Sequence, residues 1–219
     1  MMIAMMPDVT PDTLNSLRSL TDNDRLGAAG IFPAVRTGNG YMLSLAQLKG
    51  MFTGRPAAVL GGGPSLSSDM KKLPADCIRI AVNEHPFLIG VTDPDFLVFM
   101  DDLTQHPPLL AAVCGSSGIK VSPNLEQTHV DLRGLPHAIR RSSGIVAAWL
   151  GVWLGCDPVI LCGMDLYQGD KKYCHEDHSD RPIFRMPLAE HIKYWHSLPD
   201  VTHLRALSGP LVNEFGTIT

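Results

Sequence analysis

Ala57-Ala58-Val59-Leu60-Gly61-Gly62-Gly63-Pro64-Ser65-Leu66 decides the fold class of this chain. An apolar run stops at three glycines, a proline and a serine. A buried strand ending in glycine-rich backbone leaves free N–H groups at its carboxyl end. With the start of the next helix they form a site for an anion, most often a phosphate. Gly61, Gly62, Gly63 and Ser65 are therefore candidate nucleotide-binding residues. Ser65 is the expected helix N-cap, with Ser67, Ser68 and Asp69 in the same first turn. The stretch fits neither Gly-x-Gly-x-x-Gly nor the Walker pattern, because no Gly-Lys-Ser/Thr follows. Taken alone, it also reads as a tight strand-to-helix turn with no ligand.

Working outward, Ile78-Arg79-Ile80-Ala81-Val82 reads as a second strand that ends at Asn83. Phe96-Leu97-Val98-Phe99-Met100 reads as a third and ends at Asp101-Asp102. Ligands of open parallel sheets bind outside the carboxyl ends of the strands. Three successive strand ends with Gly-Gly-Gly-Pro-Ser, Asn and Asp-Asp place a site there. Helices are expected over 66–73 and 107–113, and a strand near 119–122. Ile145-Val146-Ala147-Ala148-Trp149-Leu150-Gly151-Val152-Trp153-Leu154 is apolar almost all round, so it reads as a buried helix. Pro158-Val159-Ile160-Leu161-Cys162-Gly163 suits a central parallel strand and ends at Met164-Asp165. An amphipathic helix over 187–198 and a strand over 203–207 follow. The alternation predicts an α/β, Rossmann-like doubly wound, mostly parallel sheet.

The chain has 219 residues, 45% hydrophobic and 18% charged, enough for one well-packed domain with a short extension. Its formal charge of −4, without a long basic run, argues against a nucleic-acid partner. Met1 to Met6 has no charged lead and meets Pro7 at once, so it is not read as a signal peptide. No apolar stretch reaches the roughly 18–20 residues of a membrane span. The five cysteines are odd in number, and Cys77, Cys156 and Cys162 lie in or beside expected strands. Reduced thiols in a cytoplasmic protein are the expectation. Residues 1–50, with a short helix near 11–20 and then Gly27, Gly30, Pro33, Gly38 and Gly40, read as an N-terminal arm. It packs on the 51–219 domain or on a second copy, as in a homo-oligomer.

Arg140-Arg141-Ser142-Ser143-Gly144 leads into the buried helix. Arg140, Ser142, Ser143 and Gly144 thus form a second candidate anion or ribose site, or a plain N-cap with solvated arginines. Gly163-Met164-Asp165-Leu166-Tyr167-Gln168-Gly169 places an acid and an aromatic after a strand, and Tyr173 follows. Such a loop can stack on or hydrogen-bond a ligand. Next comes Cys174-His175-Glu176-Asp177-His178-Ser179-Asp180. His175 and His178, interleaved with carboxylates, can divide general base and acid roles, or form a solvated polar loop. A zinc site needs more ligands than His-x-x-His, so no metal site is assigned. The isolated His106, His129, His196 and His203 carry no functional reading, whereas His137 near Arg140 could face a phosphate.

These ordered blocks resemble the bacterial CMP-sialic-acid-dependent sialyltransferases of glycosyltransferase family 42. They resemble equally the superfamily that includes archaeal-type 6-hydroxymethyldihydropterin diphosphokinases, and phage and prophage proteins with the same Gly-Pro-Ser-Leu and Ser-Ser-Gly blocks. The resemblance covers roughly 55–216. It implies that Gly61–Ser65 pass close to a nucleotide and that Asn83 meets the nucleotide sugar. Asp101 falls where the sialyltransferases have a second Asn. Arg140, Ser142 and Ser143 would contact phosphate, ribose or sugar acid. Tyr167 and Tyr173 match the two tyrosines that hydrogen-bond the leaving phosphate, in place of a metal. The family's catalytic His aligns with Met186, and His191 lies on the following helix instead.

The reading that follows is a nucleotide- or nucleotide-sugar-dependent group transferase acting on a hydroxyl of a small-molecule or glycan acceptor. Tyr167, Tyr173, His175 and His178 would do the chemistry, and Asp165 would join the nucleotide site. The enzyme alternative is a Mg²⁺-dependent diphosphokinase using Asp101, Asp102 and Asp165, because Mg²⁺ takes oxygen ligands and bridges phosphates. A non-catalytic phage accessory protein with the same fold, resident in the host cytoplasm, is the third.

Overall fold

The computed structural model describes residues 36–37, 40–41, 45–123, 128–133, 135–137, 139–168, 173–174 and 187–218. The short helix expected near 11–20 lies outside them, as do His175 and His178. A small antiparallel ladder joins β1 (Arg36–Thr37) to β2 (Gly40–Tyr41). The main sheet has seven strands, all parallel: β3 (Ala57–Leu60), β4 (Ile78–Val82), β5 (Phe96–Val98), β6 (Ile119–Ser122), β7 (Val130–Asp131), β8 (Val159–Cys162) and β9 (Leu204–Ala206). Their spatial order is β7-β6-β5-β4-β3-β8-β9. From β3 the chain winds outward to β7, then returns to place β8 on the other side of β3. That reversal between β3 and β8 is the topological switch point of a doubly wound sheet, where ligand crevices form.

Apolar side chains at alternate positions sort onto the two faces of the sheet. Ala57, Val59, Ile78 and Ile80 face one core, with the helix Ser143–Trp153 packed over it. Ala58, Leu60, Ile160 and Cys162 face the other, under Leu66 and Met70. The helix over 143–153 is apolar enough that eight of its eleven residues are buried. At Gly151 a Cβ would come 2.9 Å from Cγ1 of Val159, so the glycine lets the helix lie directly on β8. Leu48 is fully buried in the same core. Trp153 Nε1 donates to the Leu45 carbonyl at 2.6 Å, which ties the helix α1 (Leu45–Leu48) to the domain.

The expected helix over 66–73 is in fact one α turn, α2 (Leu66–Asp69), followed by a 3₁₀ turn Met70–Lys72. Short elements escaped the sequence reading: α3 (His85–Leu88), β7 and the C-terminal helix Leu211–Phe215. The helix of the 107–113 region, α4, spans Pro107–Gly115. We number the helix at Ser143–Trp153 α5, that at Leu188–His196 α6, and the last α7. Among the described residues no helix is long and apolar enough to cross a membrane. All five cysteines are free, and burial pushes the Cys156 thiol up to about 12.

His129 makes an acid-sensitive joint between β6 and β7. Its Nδ1 accepts from the Lys120 backbone N–H at 3.1 Å, which requires a neutral ring. Burial, then the Lys120 charge, lowers its pKa to about 4 from the usual 6.5. The unfolded chain therefore binds a proton that the folded chain resists. Stability is full above pH 6.5 and is lost as pH falls from 6.5 towards 4, by up to about 3 kcal/mol. Urea unfolding across this range should show the loss, and His129→Gln should flatten that part of the profile.

Candidate functional site

The carboxyl ends of β3, β4, β5 and β8 open into one cleft of about 790 Å³. Gly61, Gly62 and Gly63 line it below, and Asn83 and Asp101 line the β4–β5 end. Ser142, Ser143 and Gly144 enter from the start of α5, and Asp165, Tyr167 and Tyr173 from the segment after β8. Of the described residues, four expected ones stand outside this lining, Asp102 and His137 among them. Ser65 lies behind it, and Arg140 gives way to its neighbour Arg141.

The glycine-rich turn is not an open row of donors. Gly61 N–H donates to the Cys162 carbonyl and Gly63 N–H to the Gly163 carbonyl, each at 2.8 Å. These bonds prolong the β3–β8 pairing past both strands. A Cβ on Gly61 would sit 2.6 Å from the Gly163 oxygen, and one on Gly63 would strike the Asp165 carboxylate. The glycines are needed because two backbone segments and a carboxylate meet there. Ser65 does not act as the expected cap: its side chain makes no capping bond to the helix. Its N–H and hydroxyl instead donate to Asp165 Oδ2, at 3.2 and 2.8 Å. The negative charge at this turn is thus supplied by the chain itself.

Behind that contact lies a buried polar knot. Asp69, with no exposed surface, accepts from the Gly163 N–H at 3.1 Å and from the Ser208 hydroxyl at 2.5 Å. Ser65 Oγ is 3.1 Å away from it, and Lys72 Nζ reaches its other oxygen at 3.3 Å. Three distant loops, after β3, β8 and β9, are joined by one carboxylate.

At α5 the cap is Ser142, whose hydroxyl accepts from the Ile145 N–H at 3.3 Å. The first turn of a helix has N–H groups without intrahelical partners. Here that turn, Ser143 and Gly144, faces the cleft. Arg141 lines the cleft with its guanidinium 4.9 Å from the Tyr194 ring centroid. It is the only lysine or arginine among the described lining residues. Arg140 Nε is buried without a partner among the described residues. Ile139, just before them, is anchored in the core.

Aromatic rings cross the cleft in series. His85, buried against Gly62, stacks on Tyr173 with centroids 4.7 Å apart. Tyr173 meets Tyr167 edge-on at 5.9 Å, and Tyr167 meets His191 at 6.2 Å. Leu166 and Tyr167 both have positive φ, 51° and 59°, a strained pair of conformations outside glycine. Tyr167, 43% exposed, stands at the cleft mouth. Burial around its hydroxyl raises its pKa, a hydrogen bond with Tyr173 opposes that, and the Asp101 charge adds to the rise. Burial lowers the pKa of His191, partly offset by the Glu190 charge.

Sequence reasoning assigned no role to His85, Tyr194 or Trp195, and left His191 aside. One signal was available: on α6 His191, Tyr194 and Trp195 stand at i, i+3 and i+4, so they share the face that lines the cleft. Of the three carboxylates that a Mg²⁺-bound phosphate would call on, Asp101 stands exposed in the cleft and the other two are engaged. Asp102 accepts from the Thr104 N–H at 2.9 Å and from its hydroxyl at 2.8 Å, and Asp165 is held by Ser65. Among the described residues no three His, Cys, Asp or Glu side chains gather as a metal site. The described donor set does not gather the oxygen ligands that a bound Mg²⁺ needs.

No family model matches the sequence, and no curated protein matches it significantly. Solved structures do match. The sialyltransferase CstII of Campylobacter jejuni, in complex with cytidine-5'-monophosphate, superposes with a TM-score of 0.56 at 17% identity. That match covers 76% of this chain and 86% of CstII. CstII with CMP-3FNeuAc gives 0.53 at 16% identity over 74% and 86%. The monofunctional alpha-2,3-sialyltransferase Cst-I of the same organism gives 0.54 at 16% over 83% and 84%. At this identity the likeness is one of fold: the chain has the glycosyltransferase-type α/β fold of these sialyltransferases.

Proposed function

We propose that the protein is a nucleotide-sugar-dependent glycosyltransferase acting on a hydroxyl of a small-molecule or glycan acceptor. The observation that carries this reading is the meeting of His191, Tyr167 and Tyr173 above the strand ends at the switch point. The fold likeness to proteins solved with CMP and CMP-3FNeuAc supports a nucleotide donor. In the reaction, the acceptor oxygen bonds to the anomeric carbon of the donor. The bond from that carbon to the phosphate oxygen breaks, and the phosphate leaves with the electron pair. The Tyr167 and Tyr173 hydroxyls donate to the leaving phosphate, and Arg141 and the first turn of α5 supply positive potential. His191 takes the proton from the acceptor hydroxyl. His191 lines the cleft with its pKa lowered by burial, whereas His175 and His178, the bases expected from the sequence, lie outside the described residues.

The test is a thermal-shift and calorimetric screen of nucleoside mono- and diphosphates and their sugar conjugates on the full chain. A true donor at 100 times its dissociation constant adds about 2.7 kcal/mol of stability. Gly144→Val should weaken that binding at least tenfold, since a side chain there presses on Met164 and Trp195, which line the cleft beside the first turn of α5. A screen in which no nucleotide shifts the melting curve would remove the proposal.

A further inference from the structure

Asn83 and Asp101 form a polar pair whose wiring points to one kind of occupant. Asn83 follows β4 with a left-handed backbone, φ 54°, and its N–H is held by the Val98 carbonyl at 3.0 Å. Its side-chain Nδ2 lies 3.5 Å from Asp101 Oδ2. A carboxylate accepts only, so it selects the amide orientation that turns the NH₂ group towards it. The Asn83 carbonyl oxygen is thereby turned away. It is buried and has no partner among the described residues, in a residue that lines the cleft. Buried acceptors without a donor are costly and uncommon, and a ligand donor is the natural remedy. Asp101 is exposed beside it, with lone pairs to spare. This end of the cleft therefore presents two acceptors, one of them negatively charged. Arg141 is the only lysine or arginine among the described lining residues, and it stacks on Tyr194 of α6.

We propose that Asn83 and Asp101 seat an uncharged sugar ring through its hydroxyl donors, and that Asp101 excludes a sugar acid from this place. The inference rests on the nucleotide-sugar reading and narrows it. A sugar carboxylate placed here would meet the Asp101 carboxylate and could not donate to Asn83. Hydroxyls of a neutral ring satisfy both acceptors at once. Asp101 also acts beyond its own contacts, since its charge is felt at the Tyr167 hydroxyl. With Asn in place of Asp101, the amide could turn either edge to its ligand, and the charge bias would vanish.

Two matched probe pairs test this by calorimetry on the full chain: UDP-glucose against UDP-glucuronic acid, and CMP against CMP-N-acetylneuraminic acid. In the pair that binds, the acid form should bind at least tenfold more weakly than UDP-glucose, or no more tightly than CMP. Asp101→Asn and Asp101→Ser, both at an exposed position, should each shift that ratio at least tenfold towards the acid. Asn83→Ala should weaken UDP-glucose more than UDP. A nucleotide that binds with its acid sugar preferred, and with the ratio unmoved by both Asp101 variants, overturns this inference and leaves the transferase reading standing. Failure of every nucleotide in the wider screen to bind overturns both.

Discussion

His191→Ala should lower turnover by about 10²–10⁴-fold, the usual range for loss of a positioned general base. Donor affinity should change little, because the ring touches the acceptor's proton and not the nucleotide. The loss should therefore appear in kcat, with the donor KM nearly unchanged. The pH profile gives an independent reading. A base works only when deprotonated, and burial lowers the pKa of His191 below 6.5. In the intact protein kcat/KM should be level at neutral pH and fall on the acid side, with a midpoint below 6.5. That acid limb should be missing from the residual activity of His191→Ala. An unchanged limb, or an unchanged kcat, would return the base role to a residue outside the described cleft. Tyr173→Phe makes a useful contrast: it should slow turnover without moving the limb.

Asp69→Ala should cost about 3 kcal/mol of stability, because it leaves the buried Gly163 N–H without its acceptor and takes from the part-buried Ser208 hydroxyl one of the two acceptors in its reach. The denaturation midpoint should drop at constant m-value if the fold is otherwise intact. Asp69→Asn should cost less, since its carbonyl can still accept from Gly163. The two effects should also differ in reach. Asp165 is held by Ser65, and Ser65 is bonded to Ser208, so release of the knot loosens the Asp165 loop and with it Tyr167. Donor binding should weaken along with stability, unlike the effect of an ordinary core cavity. A stability change under 1 kcal/mol would mean that Asp69 is satisfied by solvent instead.

The strands of the sheet were legible because buried parallel strands are written as unbroken apolar runs, and β4 spans 78–82 as read. The end of β5 was read two residues long, since Phe99 and Met100 continue the apolar run after the pairing stops. β7 and α3, two and four residues long, carry too few side chains for a period to show. In the site, the residues at strand ends were legible from their position after an apolar run. What a linear reading could not settle was which group faces which. Ser65 followed by an apolar residue is a strong local N-cap signal, yet its partner is Asp165, a hundred positions away. Arg140 and Arg141 are indistinguishable as neighbours, and only the folded chain shows that Arg141 is the one lining the cleft. His85 has no spacing partner at all. Its place is fixed by the glycine it packs against and the ring it stacks on.

The adjacency of β3 and β8 has a consequence for the order in which the protein comes into being. Ala57 pairs with Val159, so the two halves of the cleft floor are about a hundred residues apart in the chain. At about 5–20 residues per second, a ribosome needs several seconds to bridge that gap. During that interval β3 is the edge of a growing sheet, and all four of its residues are apolar and destined for complete burial. An unpaired apolar edge invites pairing with other chains. Chains halted before residue 159 should therefore be found in aggregates or held by chaperones, and the cleft should form only once β8 has been made.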